Sequence, residues 1–136
     1  MQSNSQIPDI CVAIPTLNRG EILIDTIHDV LKQSYKNFEL VVADQTKKPS
    51  REFTESLALI TDKRLRYFRA GPASLPAARN FILEKAKAPI VLFLDDDVKL
   101  LPNMVAEHLK AFHSHPDVSA IGGRVMQKDF PIKKDV

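Results

Sequence analysis

The hydrophobic pattern of this chain changes period repeatedly, and this change constrains the fold more than any other feature of the sequence. Short β-branched runs alternate with stretches whose apolar residues recur at helical spacing, an order typical of parallel βαβ units. Five apolar runs predict strands, at residues 10–14, 38–43, 65–68, 90–94 and 118–121. Four stretches with helical spacing predict helices, around residues 23–31, 53–60, 78–82 and 105–112. The sequence therefore predicts an α/β fold with a mostly parallel sheet.

The size of the chain fits a single compact domain. Its 136 residues, 44% of them hydrophobic, can bury one core, so we assign residues 1–136 to one domain. Residues 1–8 and 127–136 lack the hydrophobic pattern and are expected to be disordered. Cys11 is the only cysteine and lies in an apolar run, so we interpret it as a core residue and not as a reactive thiol.

Charge and hydropathy exclude several classes of partner. Nineteen basic against seventeen acidic residues give a net charge of only +2, so we expect no nucleic-acid partner. Residues 1–9 lack the basic start and the apolar stretch of a signal peptide. No window reaches the roughly 18 to 20 apolar residues of a membrane span. We therefore expect a cytoplasmic protein, with any membrane association supplied by a segment beyond this chain.

Three consecutive aspartates, Asp95, Asp96 and Asp97, follow the continuous apolar run 90–94, which predicts a strand buried on both faces. Ligands of open parallel sheets collect at the carboxyl ends of strands. Adjacent carboxylates repel one another unless a cation relieves them, and hard oxygen ligands favour magnesium or manganese together with phosphates. Alternation along an extended segment turns Asp95 and Asp97 to one side and Asp96 elsewhere or towards a sugar hydroxyl. The alternative is a solvated acidic turn or a helix N-terminus.

The turns after the first two predicted strands carry polar residues that can contact a nucleotide. The first turn, which leads into a helix, contains Pro15, Thr16, Asn18 and Arg19. Asp44 and Gln45 follow the second strand, where a carboxylate or an amide could read the edge of a base or a ribose. Ordinary turns and caps also explain both segments, and for the first segment taken alone they are the favoured explanation.

Arg79 is predicted in the first turns of a helix that Ser74 could cap. The Arg79 guanidinium could contact a phosphate or hold the acidic segment of residues 95–97. The alternative is a surface salt bridge. Gly122 and Gly123 allow a close backbone approach, and Arg124 after them contacts either a ligand or solvent. No role is assigned to the histidines, which lack partners at ligand spacing: His28, His108, His113 and His115.

Taken in this order, the motifs resemble the family two glycosyltransferases of the type A fold. Residues 14–19 resemble the family's opening Pro-Thr-x-Asn turn, residues 40–44 its second strand with an acidic end, and residues 78–80 its Ala-Arg-Asn helix. Residues 93–97 resemble its Asp-x-Asp motif, and residues 122–124 the stretch after the next strand. The resemblance implies a Rossmann-like, three-layer α/β/α fold.

The resemblance also implies a donor site and a reaction. Asp97 first, and Asp95 with it, would bind a divalent metal, manganese or magnesium, that holds the diphosphate of a sugar nucleotide. Asp96 and Arg79 would belong to the nucleotide site, and the turns near Thr16 and Asp44 would cradle uracil and ribose. The family transfers a sugar from a nucleotide diphosphate sugar, here most simply a UDP-sugar, to a hydroxyl of a glycan, a lipid-linked or another acceptor, with inversion.

The chain departs from the family in two ways. Gln45 stands where the family usually has a second acidic residue, so a base other than uracil stays open. The acceptor-binding half and the catalytic base, an acidic residue expected beyond residue 136, have no counterpart here. We therefore expect the donor-binding part of a longer enzyme, which alone transfers sugar very slowly or not at all and whose exposed apolar surface can drive a homodimer.

Three other functions fit parts of the pattern. A phosphohydrolase would need a nucleophilic aspartate followed by a Gly and Thr pattern, which residues 98–100 do not supply. A nucleotidyltransferase would carry a Gly-rich loop with Arg or Lys after its first strand, and residues 16–20 differ from such a loop. A non-catalytic, flavodoxin-like interaction domain that binds a nucleotide, a regulatory metal or nothing stays open, and failure to bind sugar nucleotides would distinguish it.

Overall fold

The computed structural model describes residues 6–126, which form a four-stranded sheet flanked by helices. The elements alternate along the chain: β1 (Ile10–Thr16), α1 (Glu21–Leu31), β2 (Phe38–Asp44), α2 (Arg51–Ala58), β3 (Leu65–Arg69), α3 (Leu75–Lys85), β4 (Ile90–Phe93) and α4 (Met104–Ser114). The strands lie in the order β3, β2, β1, β4, and all neighbouring pairs are parallel. The predicted α/β fold is confirmed. Of the segments predicted to be disordered, only residues 6–8 are described, and they have no regular secondary structure.

Two hydrophobic clusters, one on each face of the sheet, make this a three-layer fold. Because successive strand residues point to opposite faces, Val12 of β1 packs in the cluster that contains Ile27 of α1. Its neighbour Cys11 packs in the other cluster, with Ile82 of α3. Helices α1, α2 and α4 thus cover one face and α3 covers the other. Every residue of β2, between these layers, is buried.

Strand β4 is less buried than its apolar composition predicts. The run 90–94 predicted a strand covered on both faces, but the residues of β4 are half-buried or exposed, and Phe93 is 38% exposed. Within the described residues β4 pairs with β1 alone, so it forms an edge of the sheet. The prediction was wrong because the composition of a run does not record its place in the strand order.

The strand predicted at residues 118–121 does not form. This segment has no regular secondary structure, and the N–H of Val118 donates to the carbonyl of His115 at 3.1 Å, which closes a turn after α4. In the described part of the chain no strand pairs with it. β-branched composition favours a strand only where a neighbouring strand supplies packing and hydrogen bonds.

The start of α3 was predicted from its local signals. Ser74 caps α3 as expected, since its hydroxyl accepts a hydrogen bond from the N–H of Ala77 at 3.3 Å, and Pro76 occupies the first turn. Helix α1 begins after Gly20, whose φ of 58° lies in the left-handed region that glycine tolerates.

Among residues 6–126 no helix is both long enough and apolar enough to cross a membrane.

The single cysteine is predicted to be inert in the folded protein. Cys11 is fully buried, and burial, followed by repulsion from the Glu39 carboxylate, raises the pKa of its thiol to about 12. Because the thiolate is the reactive species, we expect no labelling by a chromogenic aromatic disulfide at pH 8 until the chain is unfolded. The absorbance of the released thiolate measures this reaction. Rapid labelling of the folded protein would show that the cluster around Cys11 opens to solvent.

Candidate functional site

The turns that follow β1, β2 and β4 meet at the carboxyl edge of the sheet, where they border two cavities. The smaller cavity has a volume of 270 Å³ and includes Asp44 in its wall. The larger has a volume of 700 Å³ and is bordered by residues 95–97. The two share one wall, which consists of Thr16, Asn18 and Arg19. Of the residues predicted to bind nucleotide or metal, all except Arg79 line one or both cavities.

Asp96 is the buried centre of the acidic loop, which comprises residues 95–97 after β4. The hydroxyl of Thr16 donates to its Oδ2 at 2.8 Å, and Nε of Arg19 lies 3.1 Å from its Oδ1. The hydroxyl of Thr26 in α1 donates to the Asp96 backbone carbonyl at 2.7 Å. Both carboxylate oxygens therefore have partners, and these bonds fasten the loop after β4 to β1 and α1. Asp96 holds the loop in place, which the sequence pattern did not indicate.

Asp95 and Asp97 flank Asp96 and are exposed on the larger cavity. The exposure pattern is the expected one, with the middle residue turned inward, although Asp96 and Asp97 lie in a turn and not in an extended segment. Nη2 of Arg19 lies 3.7 Å from Oδ2 of Asp97, so this guanidinium offsets charge on Asp96 and Asp97 together. The exposed carboxylates remain open towards the cavity.

These two carboxylates suit one kind of metal site. In the described part of the chain, no group of three or more His, Cys, Asp or Glu side chains could enclose a metal ion. Magnesium and manganese, however, are commonly held by one or two carboxylates, with substrate phosphates and water as the other ligands. The hard oxygens of Asp95 and Asp97 at the edge of a 700 Å³ cavity fit that arrangement. They fit a metal shared with a phosphate ligand and not a closed protein site.

Asp44 is almost completely buried, and two neighbours fix its carboxylate. The Tyr67 hydroxyl donates to Oδ2 at 2.6 Å, and the backbone N–H of Thr46 donates to Oδ1 at 2.8 Å. Burial, and then the hydrogen bond to Asp44, raise the pKa of Tyr67, so this hydroxyl stays a donor. The Thr46 hydroxyl in turn accepts from the N–H of Asn18 at 2.8 Å, which ties the two turns together. Asn18 adopts a left-handed φ of 56° in this turn.

Gln45 lines the larger cavity, but its amide bonds to a neighbouring loop. Nε2 donates to the carbonyls of Pro72 at 2.9 Å and Ser74 at 3.1 Å, and Oε1 accepts from the N–H of Ser74 at 3.0 Å. Its backbone N–H donates to the carbonyl of Thr16 at 3.0 Å. Spacing could not reveal these contacts, because the side-chain partners lie 27 and 29 residues away.

The remaining predicted positions lie outside the two cavities. The Arg79 guanidinium carbon lies 5.9 Å from the centre of the Phe93 ring, a cation–π contact between α3 and β4. Gly123 lies against the ring of His108, and a Cβ at this glycine would come within 2.5 Å of the ring nitrogen Nε2. The predicted close approach of a glycine backbone is thus made to a side chain of α4. Arg124 is exposed.

Comparison with known protein families settles the relationship. Residues 11–133 match the family described as glycosyl transferase family 2. This chain belongs to glycosyl transferase family 2. The resemblance stated from the sequence is confirmed.

Relatives of this family 2 chain include a Campylobacter jejuni protein named GalNAc(5)-diNAcBac-PP-undecaprenol beta-1,3-glucosyltransferase. The two are 27% identical over 135 residues, which cover 95% of this chain and 42% of that protein. The chain spans between 14% and 42% of the lengths of the curated relatives that it matches first. The family 2 chain thus corresponds to a minor part of these proteins.

Solved structures confirm the fold of this family 2 chain. A mannosyltransferase from Pyrobaculum calidifontis in complex with GDP-Man and Mn²⁺ matches with a TM-score of 0.66 at 20% identity, over 79% of this chain and 33% of that one. Residues 1–349 of S. aureus TarS in complex with UDP-GlcNAc match with a TM-score of 0.66 at 19% identity, over 88% and 37% of the two chains. The predicted Rossmann-like, type A fold is confirmed.

Removing the buried hydrogen bond between Thr26 of α1 and the acidic loop should lower the free energy of unfolding of this family 2 chain. Thr26→Val keeps the shape of the side chain but leaves the Asp96 carbonyl without its donor. We expect a loss of about 1–3 kcal/mol in the free energy of unfolding, measured with urea. In the matched control Thr54→Val, the lost hydroxyl bonds to the Ser50 carbonyl on an exposed helix surface, and a change within about 0.5 kcal/mol is expected. Equal losses in the two variants would contradict the role given to Thr26.

Proposed function

We propose that this chain forms the donor-binding part of a glycosyltransferase that transfers a sugar from a nucleotide diphosphate sugar to an acceptor hydroxyl. One observation carries the proposal: two cavities share a single turn at the carboxyl edge of the sheet, one beside buried Asp44 and the other beside exposed Asp95 and Asp97. A nucleotide diphosphate has the same two parts, a base with its ribose and a charged diphosphate. Family membership supports the assignment.

The smaller cavity is proposed to hold the base and ribose. Its wall combines apolar surface from Leu23 and Phe53 with the carboxylate of Asp44. Apolar walls can pack against the faces of a base, while a carboxylate accepts hydrogen bonds from base N–H groups or ribose hydroxyls. Tyr67 and the Thr46 amide hold that carboxylate in one orientation, so its remaining lone pairs have a fixed direction.

The larger cavity is proposed to hold the diphosphate and the sugar. Asp97 and Asp95 would hold a divalent metal, manganese or magnesium, which would offset negative charge on the departing diphosphate when bound. Arg19 is a second cation beside the same space and would contact phosphate oxygens from the shared turn. Arg79 stays a predicted phosphate contact, although it lines neither cavity here. The complex of the Pyrobaculum calidifontis neighbour with GDP-Man and Mn²⁺ supports a metal in this fold.

The donor is proposed to be a UDP-sugar. The TarS structure with UDP-GlcNAc supports uracil, whereas the neighbour with GDP-Man shows that the fold also accepts guanine in another protein. The acceptor is proposed to be a hydroxyl of a glycan or of a lipid-linked substrate, which the name of the Campylobacter jejuni relative supports. Transfer with inversion requires a general base, proposed to lie beyond residue 136. A cytoplasmic location and a homodimer also stay predictions.

Calorimetric titration with UDP and with GDP, each with and without manganese, tests this proposal. We expect the native chain to bind UDP more tightly with manganese than without it, because the metal links the diphosphate to Asp95 and Asp97. Asp97→Ala removes one metal ligand and should lower the affinity for UDP with manganese at least about tenfold.

Asp25→Ala provides the control, since Asp25 is an exposed aspartate of α1 that lines neither cavity. It should leave the affinity for UDP unchanged. Tighter binding of GDP than of UDP would contradict the proposed base. If no nucleotide binds under any condition, the donor-site proposal is wrong for this chain, and a non-catalytic interaction domain is favoured.

A further inference from the structure

Gln45 connects the two sides of the larger cavity in a way that the proposed donor site alone does not explain. It follows β2 directly, is only 8% exposed, and makes three side-chain hydrogen bonds to residues 72–74. Ala73, Ser74 and Leu75 form one wall of the cavity, and residues 95–97 border the same space. The amide of Gln45 therefore joins the end of the central sheet to this wall.

We infer that Gln45 is a positioning residue that holds residues 72–74, and with them the cavity wall of residues 73–75, against the diphosphate space, and that it does not select the nucleotide base. This inference rests on the proposed donor site, because it assigns a task within that site. It differs from the reading of the sequence alone, in which the amide at this position could determine base identity.

The hydrogen-bonding capacity of the amide supports the inference. A glutamine amide has two N–H donors and one carbonyl oxygen with two lone pairs. Both donors are used on the carbonyls of Pro72 and Ser74, and the oxygen accepts from the N–H of Ser74. Only one lone pair remains, so the side chain has no donor to offer a base. Reading a base through N–H groups would require it to release the loop.

The loop depends on these bonds for its position. It is fixed at its start by the N–H of Ala70, which donates to the carbonyl of Asp44 at 2.9 Å. Across residues 71–74, the bonds to parts of the described chain other than α3 all go to Gln45. Gly71 is exposed, and a Cβ added there would meet nothing within 4 Å, so no neighbour packs against that side of its backbone. The amide is accordingly the main restraint on this wall.

Ser74 extends the effect to α3. Its hydroxyl caps the helix by accepting from the N–H of Ala77 at 3.3 Å, while its backbone N–H and carbonyl both bond to Gln45. The first turn of α3 and the cavity wall are thus positioned through one residue. Small displacements of groups that position a reacting ligand can reduce the rate strongly, so a fixed wall is valuable here.

Gln45→Glu keeps the length of the side chain, but it replaces the N–H donors with a carboxylate oxygen and adds a negative charge beside the larger cavity. The carboxylate can still accept from the N–H of Ser74, but its second oxygen would face the carbonyls of Pro72 and Ser74 without a proton to share. We expect the affinities for UDP and for GDP, each measured by calorimetry with manganese, to fall by the same factor of at least about five. The ratio of the two affinities should stay within about twofold of the native ratio.

Gln33→Glu is the matched control. Gln33 is also a buried glutamine: its Nε2 donates to the carbonyl of Leu101 at 2.8 Å, and its Oε1 accepts from the N–H of Val105 at 3.0 Å. It borders neither cavity. Its variant should lower the melting temperature, as Gln45→Glu does, but leave both nucleotide affinities within about twofold of native. Gln45→Asn, which is uncharged and one methylene too short to reach the loop, separates the lost bonds from the added charge: it should also lower both affinities by a common factor, and native affinities in this variant would overturn the inference.

The outcomes separate this inference from the donor-site proposal. A changed ratio of UDP to GDP affinity in Gln45→Glu would show that Gln45 reads the base. Affinities as close to native as those of Gln33→Glu would show that Gln45 has only a structural role. Either result overturns the inference while the donor site stands. Failure of the native chain to bind any nucleotide overturns both. Hydrogen exchange at the N–H of Ser74, which should accelerate in Gln45→Asn because the shorter side chain no longer accepts from it, and stay native in Gln33→Glu, tests the restraint without a nucleotide.

Discussion

The site depends first on the burial of one carboxylate among three. Asp96 is turned inward and bonded to Thr16, Arg19 and, through its backbone carbonyl, Thr26. A buried charge is stable only when it is paired and hydrogen-bonded, and here both conditions are met. The middle aspartate faces inward, and its two neighbours are exposed. The same bonds thus hold the acidic loop and present Asp95 and Asp97 to the larger cavity.

The sequence predicts those parts of the fold that depend on local signals. Central strands β1 and β2, the amphipathic helix α1 and the serine cap of α3 all follow from residues within one or two turns of each other. Position in the sheet is different, because it depends on partners far along the chain. The exposure of Phe93 and the absence of a strand at residues 118–121 were mispredicted for that reason.

The candidate site shows the same division. Motif order and family resemblance indicated which residues would gather at the carboxyl edge, and nearly all of them do. Their individual tasks could not be predicted, since those depend on contacts of long sequence separation. Thr16 and Thr26 reach Asp96 across 80 and 70 residues, and Tyr67 reaches Asp44 across 23. A spacing pattern contains no information about which polar side chain is already occupied by a neighbour.

The turn that contains Thr16, Asn18 and Arg19 is a wall common to both cavities. The N–H of Asn18 bonds to Thr46 on one side, and Arg19 pairs with Asp96 and Asp97 on the other. A displacement of this turn on one side is therefore also a displacement on the other. Where a ligand in one cavity displaces this turn, the effect on the other cavity is reciprocal: each ligand changes the affinity for the other by the same factor.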